Sequence, residues 1–530
     1  MKLEYINKGM KNAVLMFVCL GMGNGVWAQK LPAKNWYHES PKKKNMGIAL
    51  DKAYQNSAAA RPSTKIVVAV IDGGVDIAHP DLREVIWHNP GEIPFNNIDD
   101  DKNGYVDDTV GWNFIGGANG GMVQYDQLEK VRIYMKLAEK YKDVDAEDEN
   151  KNNTAEYTLY ITLKSEIESK IESNKTQFEG IEELQKTLKD YAVKTGKEEP
   201  KGNEIKAIVV DKEDEKKKNY ISMLVGLYGY KTFLTMLDQD HHQMEPSVKY
   251  QYNLSYNPRL IVGDDYNNSH EFGYGNNNVS GPDASHGTHV SGIIGAVRGN
   301  GIGLDGIADH VRIMPIRVVP DGDERDKDVA NGIRYAVDNG AKVINMSFGK
   351  GFSWDKDVVN EAVLYAKDHG VLLVHAAGNN AENNDLIANY PNDSLGRNEV
   401  ASNWIEVGAS QPQRKKLATN FSNYGLVNVD LFAPGQSIYS SIPNNEYAYF
   451  DGTSMASPVC AGTAALVWSR FPTFTAEQVK QVLEGSVLSV TNKVRLPGSQ
   501  LSNVPFKALS KTGGLLNANN AMNLAKKMKN

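Results

Sequence analysis

Short runs rich in valine and isoleucine recur along the chain, and stretches with helical periodicity separate them. Several runs show almost no alternation of apolar and polar residues, which is typical of parallel strands buried on both faces. The runs are 66–71, 312–319, 342–347, 371–377 and 404–409. This strand–helix alternation predicts an α/β fold with a parallel sheet, whose ligands bind at the carboxyl ends of the strands.

A charge-rich stretch interrupts this pattern. Charged residues make up 47 of the 130 residues in 121–250, against 76 of the other 400. Apolar residues within it fall at 3–4–3 spacing, on one face of a helix: Ile181, Leu184, Leu188 and Tyr191. We therefore interpret 118–258 as an inserted, charged helical subdomain of two or three helices. The alternative is a solvated, partly disordered loop.

The first 28 residues have the pattern of an export signal. Lys2, Lys8 and Lys11 precede the short apolar run 13–20, and Ala28 fits the small-residue rule for cleavage before Gln29. A lipid anchor on Cys19 is the alternative. The apolar run is too short for a membrane span. We expect an exported protein, periplasmic or extracellular, in which 29–61 form an N-terminal extension.

Charge and cysteine content exclude several classes. The net charge of −7, from 58 basic and 65 acidic residues, argues against a nucleic-acid partner. Two cysteines, Cys19 and Cys460, can build neither a disulfide framework nor a cysteine-based zinc site. After signal cleavage Cys460 would be a single thiol, which we expect to be buried and unreactive.

Three motifs carry residues with catalytic potential. Asp72 ends a strand in AVIDGGVDIAHPDL, His286 opens a helix in SHGTHVSGIIGAV, and Ser454 opens another in DGTSMASPVCAG. Each residue alone suits a cap or another structural role. Together they match what a serine nucleophile requires, because it needs a neighbouring base and the base needs an orienting carboxylate. Asn379, in AAGNN, could donate from its amide to a developing oxyanion.

The motifs and their order resemble the subtilisin-like serine peptidases, the subtilases. The resemblance rests on VIDGGVD, HGTHVSGIIGA, AAGN and GTSMASPV, and extends to VINMSFG, FSNYG, LFAPGQSIYS and GGLLNANNAM. It covers about 62–117 and 260–522. It implies a three-layer, parallel-sheet peptidase domain over 62–117 and 259–524, with the helical subdomain inserted between the two segments.

The resemblance also implies roles for individual residues. Ser454 would be the nucleophile, His286 the general base and acid, and Asp72 the carboxylate that orients the imidazole. Asn379 would donate to the oxyanion. The expected substrate-binding residues are Ser347, Phe348, Gly349, Ala376, Ala377, Gly378 and Asn389. No acidic residue occurs in those motifs, which argues against a strict preference for Lys or Arg. The expected activity is that of a serine endopeptidase on protein or peptide substrates, without an organic cofactor.

An acidic loop lies between the first two motifs. Oxygen-bearing side chains alternate around Gly104 in NNIDDDKNGYVDD, a pattern that suits a hard cation such as Ca²⁺. The candidate ligands are Asp99, Asp101, Asn103, Tyr105, Asp107 and Asp108. The loop resembles a calcium loop of many subtilases; a solvated acidic turn is the alternative. Asp81 and Asn300 match positions of a second calcium site in the family.

The chain departs from the family pattern in two ways, and two other functions compete with the peptidase prediction. Residues 29–71 leave no room for the usual inhibitory prodomain, and the insert separates Asp72 from His286 by 214 residues. An α/β-hydrolase esterase would want G-x-S-x-G and the chain order Ser, Asp, His, which this chain lacks. A non-catalytic binding protein on the same frame would be expected to have lost a member of the triad, and all three are present.

Overall fold

The computed structural model describes residues 31–57, 62, 64–142, 154–396 and 399–529. The predicted signal segment and Cys19 lie outside these residues. The chain divides into two compact units. The smaller contains Lys130–Tyr256, and the larger contains Lys30–Glu129 and Asn257–Asn530. The predicted limits of the insert, 118 and 258, stay an interpretation beside these boundaries.

The elements are numbered in chain order. The helices are α1 Leu50–Ser57, α2 Glu129–Tyr141, α3 Ala155–Thr195, α4 Gly202–Lys206, α5 Glu215–Tyr228, α6 Tyr230–Pro246, α7 Arg259–Val262, α8 Ser285–Gly295, α9 Asp326–Asp338, α10 Lys356–Asp368, α11 Thr453–Arg470, α12 Ala476–Gly485 and α13 Ala518–Lys529. The strands are β1 Ile66–Asp72, β2 Trp112–Asn113, β3 Val311–Arg317, β4 Val343–Met346, β5 Leu372–Ala376, β6 Ser394–Gly396, β7 Glu399–Val400, β8 Trp404–Ser410, β9 Leu431–Pro434, β10 Ile438–Ile442, β11 Glu446–Phe450, β12 Leu488–Ser489, β13 Lys493–Arg495, β14 Asn503–Pro505 and β15 Gly514–Leu515. Within the described ranges, no helix is long and apolar enough to cross a membrane.

A nine-stranded sheet forms the centre of the larger unit. Its order is β12-β15-β9-β8-β5-β4-β1-β3-β2. Neighbouring strands are parallel, except that β12 runs antiparallel to β15. The five runs rich in valine and isoleucine correspond to β1, β3, β4, β5 and β8. The predicted α/β parallel-sheet fold is therefore confirmed.

Both faces of the sheet are covered, which explains why the strands lack polar alternation. Val68 and Val70 of β1 belong to the apolar core that includes α8 and α11. Ala69 and Ile71 point to the other core, which includes α9 and α10. Helix–sheet–helix layering follows from this two-sided burial. Cys460 of α11 is fully buried as predicted, and burial raises the pKa of its thiol.

The predicted N-terminal extension contributes to the core of the larger unit. Trp36 and Tyr37 are fully buried, and the indole Nε1 of Trp36 donates to the carbonyl of Ser437 at 2.9 Å. The backbone N–H of Ala518, at the start of α13, donates to the carbonyl of Ile48 at 2.8 Å. Helix α1 packs against α13. Residues from the two ends of the larger unit therefore share one core.

The smaller unit is helical and has its own apolar cluster. Its longest helix, α3, contains 41 residues, begins after the Thr154 cap and ends at Gly196 in the left-handed conformation (φ 68°). The apolar face predicted on α3 is buried against residues of α4, α5 and α6, including Ile205, Ile221 and Phe233. The helical periodicity of this charged stretch is thereby confirmed.

Candidate active site

The sequence-predicted catalytic residues lie where strands end and helices begin. Asp72 is the last residue of β1, Ser347 directly follows β4, and Asn379 comes three residues after β5. His286 and Ser454 are each the second residue of a helix, α8 and α11. In an α/β sheet the carboxyl ends of parallel strands share one edge, and this is where the predicted residues are found.

Asp72 and His286 are in direct contact. The imidazole Nδ1 of His286 lies 2.8 Å and 3.0 Å from the two carboxylate oxygens of Asp72. The Asp72 side chain is 4% exposed and accepts a second hydrogen bond from the N–H of Gly73. Desolvation lowers the pKa of His286, but the charge of Asp72 and the hydrogen bond to it outweigh this and raise the pKa above its ordinary value.

Ser454 is held by a chain of polar groups between β4 and α11. Its hydroxyl donates to the carbonyl of Ser347 at 3.1 Å, and its own carbonyl accepts from the Ser347 hydroxyl at 2.9 Å. The Asn345 amide donates to that hydroxyl at 2.9 Å and accepts from Ser457 at 2.7 Å. Asn345 was not predicted. The sequence signal that could have identified it is its position as the polar residue in the otherwise apolar strand VINM.

The orientation of the Asn379 amide is set by the residue before Ser454. Asn379 Oδ1 accepts hydrogen bonds from the backbone N–H of Thr453 at 2.9 Å and from its hydroxyl at 3.0 Å. The Thr453 hydroxyl also accepts from the N–H of Gly378 at 3.2 Å. Because the oxygen of the Asn379 amide is bonded to Thr453, the Nδ2 hydrogens at the other end of the amide face away from Thr453. The role of Thr453 was missed in the sequence.

A buried arginine supports the turn that follows Asp72. Arg317 ends β3 opposite Asp72 in the register of the sheet and is 2% exposed. Its Nε donates to the carbonyl of Gly73 at 2.7 Å, and its Nη1 to the Asn113 amide oxygen at 3.2 Å. Burial lowers the pKa of Arg317 to about 10. Sequence reasoning did not single out this residue.

A cleft adjoins the Asp72–His286 pair. It encloses about 320 Å³, and its lining includes Asp72, His286, Ser347 and Phe348. The amide Nδ2 of Asn389 donates to the carbonyl of Ala376 at 3.1 Å. The structure thus brings the predicted substrate-binding segments, Ser347–Gly349 and Ala376–Gly378, together with Asn389.

The acidic loop brings three carboxylates together. One oxygen each of Glu92, Asp99 and Asp101 lies within 4.8 Å of the other two. Glu92 is 8% exposed, and its Oε1 accepts the backbone N–H groups of Asp100 and Asp101 at 2.9 Å and 3.2 Å. Its Oε2 is buried without a hydrogen-bond partner among the residues that the structure describes. Glu92 lies seven residues before Asp99, outside the alternating pattern, and was missed.

The other predicted ligands of this loop make different contacts. Asp108 Oδ2 accepts from the Tyr335 hydroxyl at 2.6 Å and from the Asn103 amide at 3.0 Å. Burial raises the pKa of Asp108 to about 6. The Asp107 carboxylate accepts the backbone N–H groups of residues 96 and 97. Tyr105 is buried among aromatic rings.

Asp81 and Asn300, the pair predicted for a second calcium site, are also brought together. Asn300 Nδ2 donates to Asp81 Oδ1 at 2.6 Å. The Tyr447 hydroxyl donates to Asp81 Oδ2 at 2.9 Å, and the N–H of Leu304 does so at 3.4 Å. Both carboxylate oxygens therefore already accept protein hydrogen bonds. Calcium at Asp81 and Asn300 stays a prediction from the sequence.

Comparison with known proteins gives consistent matches. The sequence model of the Subtilase family matches residues 63–502. A thermophilic serine proteinase from a Bacillus species is 43% identical over 189 residues, which are 35% of this chain and 43% of that protein. Thermitase from Thermoactinomyces vulgaris is 41% identical over 186 residues, 35% of this chain and 61% of the relative.

A third relative and a solved structure extend the comparison. The cell wall-associated protease of Bacillus subtilis is 38% identical over 212 residues, 40% of this chain and 22% of that protein. The matched region therefore spans less than two thirds of the length of each of these three relatives. A solved protease from Pseudoalteromonas arctica aligns over 93% of this chain and 97% of its own, with 20% identity and a TM-score of 0.48.

Proposed function

Since the chain belongs to the subtilase family, we propose that it is a serine endopeptidase that hydrolyses peptide bonds through Asp72, His286 and Ser454. The observation that carries the proposal is the buried Asp72 carboxylate against His286 Nδ1 at 2.8 Å. A carboxylate there selects the tautomer in which the other imidazole nitrogen, Nε2, can accept a proton. Subtilases act on peptides and proteins, which are the substrates we propose here.

The first chemical step is attack on the scissile carbonyl. The hydroxyl of Ser454 turns from the carbonyl of Ser347 to His286 Nε2, which takes its proton as the oxygen forms a bond to the substrate carbon. Asn379 Nδ2 and the N–H of Ser454 donate to the oxyanion that develops. Asp72 stabilises the imidazolium that results.

The second step breaks the carbon–nitrogen bond. The imidazolium of His286 gives its proton to the leaving amine, and an acyl ester on Ser454 remains. Water then attacks the ester with His286 as general base, which releases the acid and restores the hydroxyl. An extended substrate pairs with the backbone of Ser347–Gly349, so that recognition does not depend on most of its side chains.

Covalent labelling tests the proposal directly. A serine-directed phosphonate should inactivate the full chain, and mass spectrometry should locate one adduct on the peptide containing Ser454. A folded protein that neither reacts nor cleaves denatured casein would be a non-catalytic member of the family.

Replacing Asn379 by alanine should lower kcat with little change in KM, because its amide would act mainly on the charge of the transition state. Removal of one oxyanion donor in subtilisin costs about 10²–10³-fold in kcat, and we expect a similar loss here. The matched control is Asn380→Ala. The amide of Asn380 is exposed and donates to Glu382 instead. Equal effects of the two variants on kcat would contradict the oxyanion role.

We further propose that calcium stabilises the fold at Glu92, Asp99 and Asp101. Three carboxylates at such short range repel one another unless a cation is shared, and the free Oε2 of Glu92 offers it a ligand. This donor set fits a hard cation. The ion would supply charge neutralisation to the loop, and no step of peptide hydrolysis is routed through it.

Removal of calcium should lower the melting temperature of the wild type. Binding to the native state alone adds about 2.7 kcal/mol at a hundredfold excess of calcium over Kd. Glu92→Gln and Asp101→Asn should shrink the difference between melting in calcium and in EDTA. Asp107→Asn should leave that difference unchanged, because Asp107 lies outside the cluster of Glu92, Asp99 and Asp101. If only Asp107→Asn abolishes it, the alternating residues bind the ion and the three-carboxylate cluster does not.

We also infer export, which rests on the sequence of residues 1–28 alone. Sequencing the N-terminus of the mature protein checks it, with Gln29 as the expected first residue.

A further inference from the structure

Two backbone segments on either side of the Ser454 helix start contain glycines that face a shared space. Gly349 ends the segment that begins with Ser347, and Gly378 ends the segment that follows β5. A Cβ at Gly349 would lie 2.5 Å from Asn389 Oδ1 and 2.9 Å from its Nδ2. A Cβ at Gly378 would lie 3.6 Å from the same Nδ2. The amide of Asn389 therefore occupies the space that the two glycines leave open.

This amide is fixed in place. Its Nδ2 donates to the carbonyl of Ala376 at 3.1 Å, and the Asn389 carbonyl accepts from the Asn392 amide at 3.0 Å. The next residue, Tyr390, exchanges two backbone hydrogen bonds of 2.9 Å with Lys350. Lys350 is 4% exposed and pairs with Asp326 at 2.8 Å. The Asn389 side chain therefore cannot move out of this space without breaking its hydrogen bond to the carbonyl of Ala376, and the backbone that carries it is held by Lys350.

Further amides form the wall beyond Gly378. A Cβ at Gly378 would lie 2.5 Å from Asn423 Nδ2. Asn423 is 2% exposed and donates to the Asn384 amide oxygen at 3.0 Å. Asn384 in turn donates to the carbonyl of Ala377 at 2.9 Å. The space between the two segments is thus bounded by hydrogen-bonded amides.

We propose that Asn389 limits the substrate to small residues, glycine, alanine or serine, on the acyl side of the scissile bond. The inference rests on the proposed peptidase function. A bulky side chain would have to displace the amide and leave the carbonyl of Ala376 without its donor. A misfit of one methylene changes kcat/KM by about 10–200-fold, so side chains such as phenylalanine, leucine and lysine lie well beyond the limit.

A cavity lies next to Asn389. It encloses about 280 Å³, and its lining includes Asn389, Lys356, Asp393 and Glu406. Removal of the Asn389 side chain would connect the space between the glycines with this cavity. The deeper pocket should then accept long side chains, both apolar and basic.

The test uses the full chain and four tetrapeptide p-nitroanilides that differ only in the residue before the scissile bond: alanine, leucine, phenylalanine or lysine. Wild-type kcat/KM should be at least about tenfold higher for alanine than for the other three. Asn389→Gly should raise the ratio of kcat/KM for the phenylalanine substrate to kcat/KM for the alanine substrate by about tenfold or more. Asn339→Gly, the same change at the end of α9, should leave all ratios unchanged.

The outcomes separate this inference from the proposed function. An enzyme that reacts with the phosphonate at Ser454 but cleaves after phenylalanine or leucine as well as after alanine would overturn the size limit alone. A protein that neither reacts nor cleaves any of the four would overturn the peptidase proposal. If Asn389→Gly fails to fold, the sites at which the wild type cleaves denatured casein test the size limit instead. Cuts mainly after small residues support the limit, and cuts mainly after large residues refute it.

Discussion

Replacement of Ser454 by alanine is expected to lower kcat by about 10⁶-fold, the size of the loss that removal of the serine nucleophile causes in subtilisin. Without the hydroxyl no acyl ester can form, and His286 has no proton to take from residue 454. The fold should be unaffected, since within the described residues the Ser454 side chain makes one hydrogen bond, to the carbonyl of Ser347. The measurement is peptide hydrolysis together with phosphonate labelling of purified variant and wild type.

Ser469→Ala is the matched control for this variant. Ser469 lies on the same helix, and its buried hydroxyl donates to the carbonyl of Leu466 at 2.9 Å. It should keep both hydrolysis and labelling. Hydrolysis by Ser454→Ala within tenfold of the wild type, from a preparation free of other proteases, would exclude the acyl-enzyme mechanism.

Replacement of Asp72 by asparagine should have the next largest effect, about 10⁴-fold in kcat near neutral pH. The volume is unchanged, so the contacts with Gly73 and His286 remain sterically possible. An amide that donates toward Nδ1 favours the wrong tautomer, and His286 then presents N–H instead of a lone pair to Ser454. The imidazolium also loses the negative charge that stabilises it.

The same variant should move the pH dependence of kcat/KM. Asp72 raises the pKa of His286, and only the neutral imidazole can act as a base. Wild-type activity should therefore rise with pH through a midpoint above the usual value for histidine, and Asp72→Asn should shift this midpoint down. The stability that the ion pair of Asp72 and His286 contributes has the opposite pH dependence to activity. It is lost as the pH rises through the pKa of His286 in the folded state. An unchanged midpoint would mean that Asp72 does not act on the titration of His286.

The main strands could be predicted from the sequence because burial on both faces leaves a local mark. A strand such as Ile66–Asp72 has no polar residue before its end, and that pattern needs no knowledge of its neighbours. The short strands β2 and β15 carry only two residues each, too few for any periodicity. The core role of Trp36 depends on Ser437, 401 residues away, and no local pattern reports such a contact.

In the candidate site, too, residues in local motifs could be predicted from the sequence, whereas residues placed by tertiary contacts could not. Asp72, His286, Ser454 and Asn379 lie in motifs whose residue types indicate chemistry. Glu92 reaches the acidic cluster only because the loop folds back, and its own surroundings in the sequence give no metal pattern. The backbone N–H groups that the Asp107 carboxylate accepts are likewise a tertiary contact that its spacing in the sequence does not indicate.

The packing of α1 against α13 has a consequence for the order of events during synthesis. A growing chain contains Asp72, His286 and Ser454 well before it contains Ala518, whose N–H meets the carbonyl of Ile48. Until α13 has left the ribosome, α1 lacks the surface against which it packs. The nascent polypeptide therefore carries Asp72, His286 and Ser454 while its core is still open, and the core closes only after α13 has been synthesised.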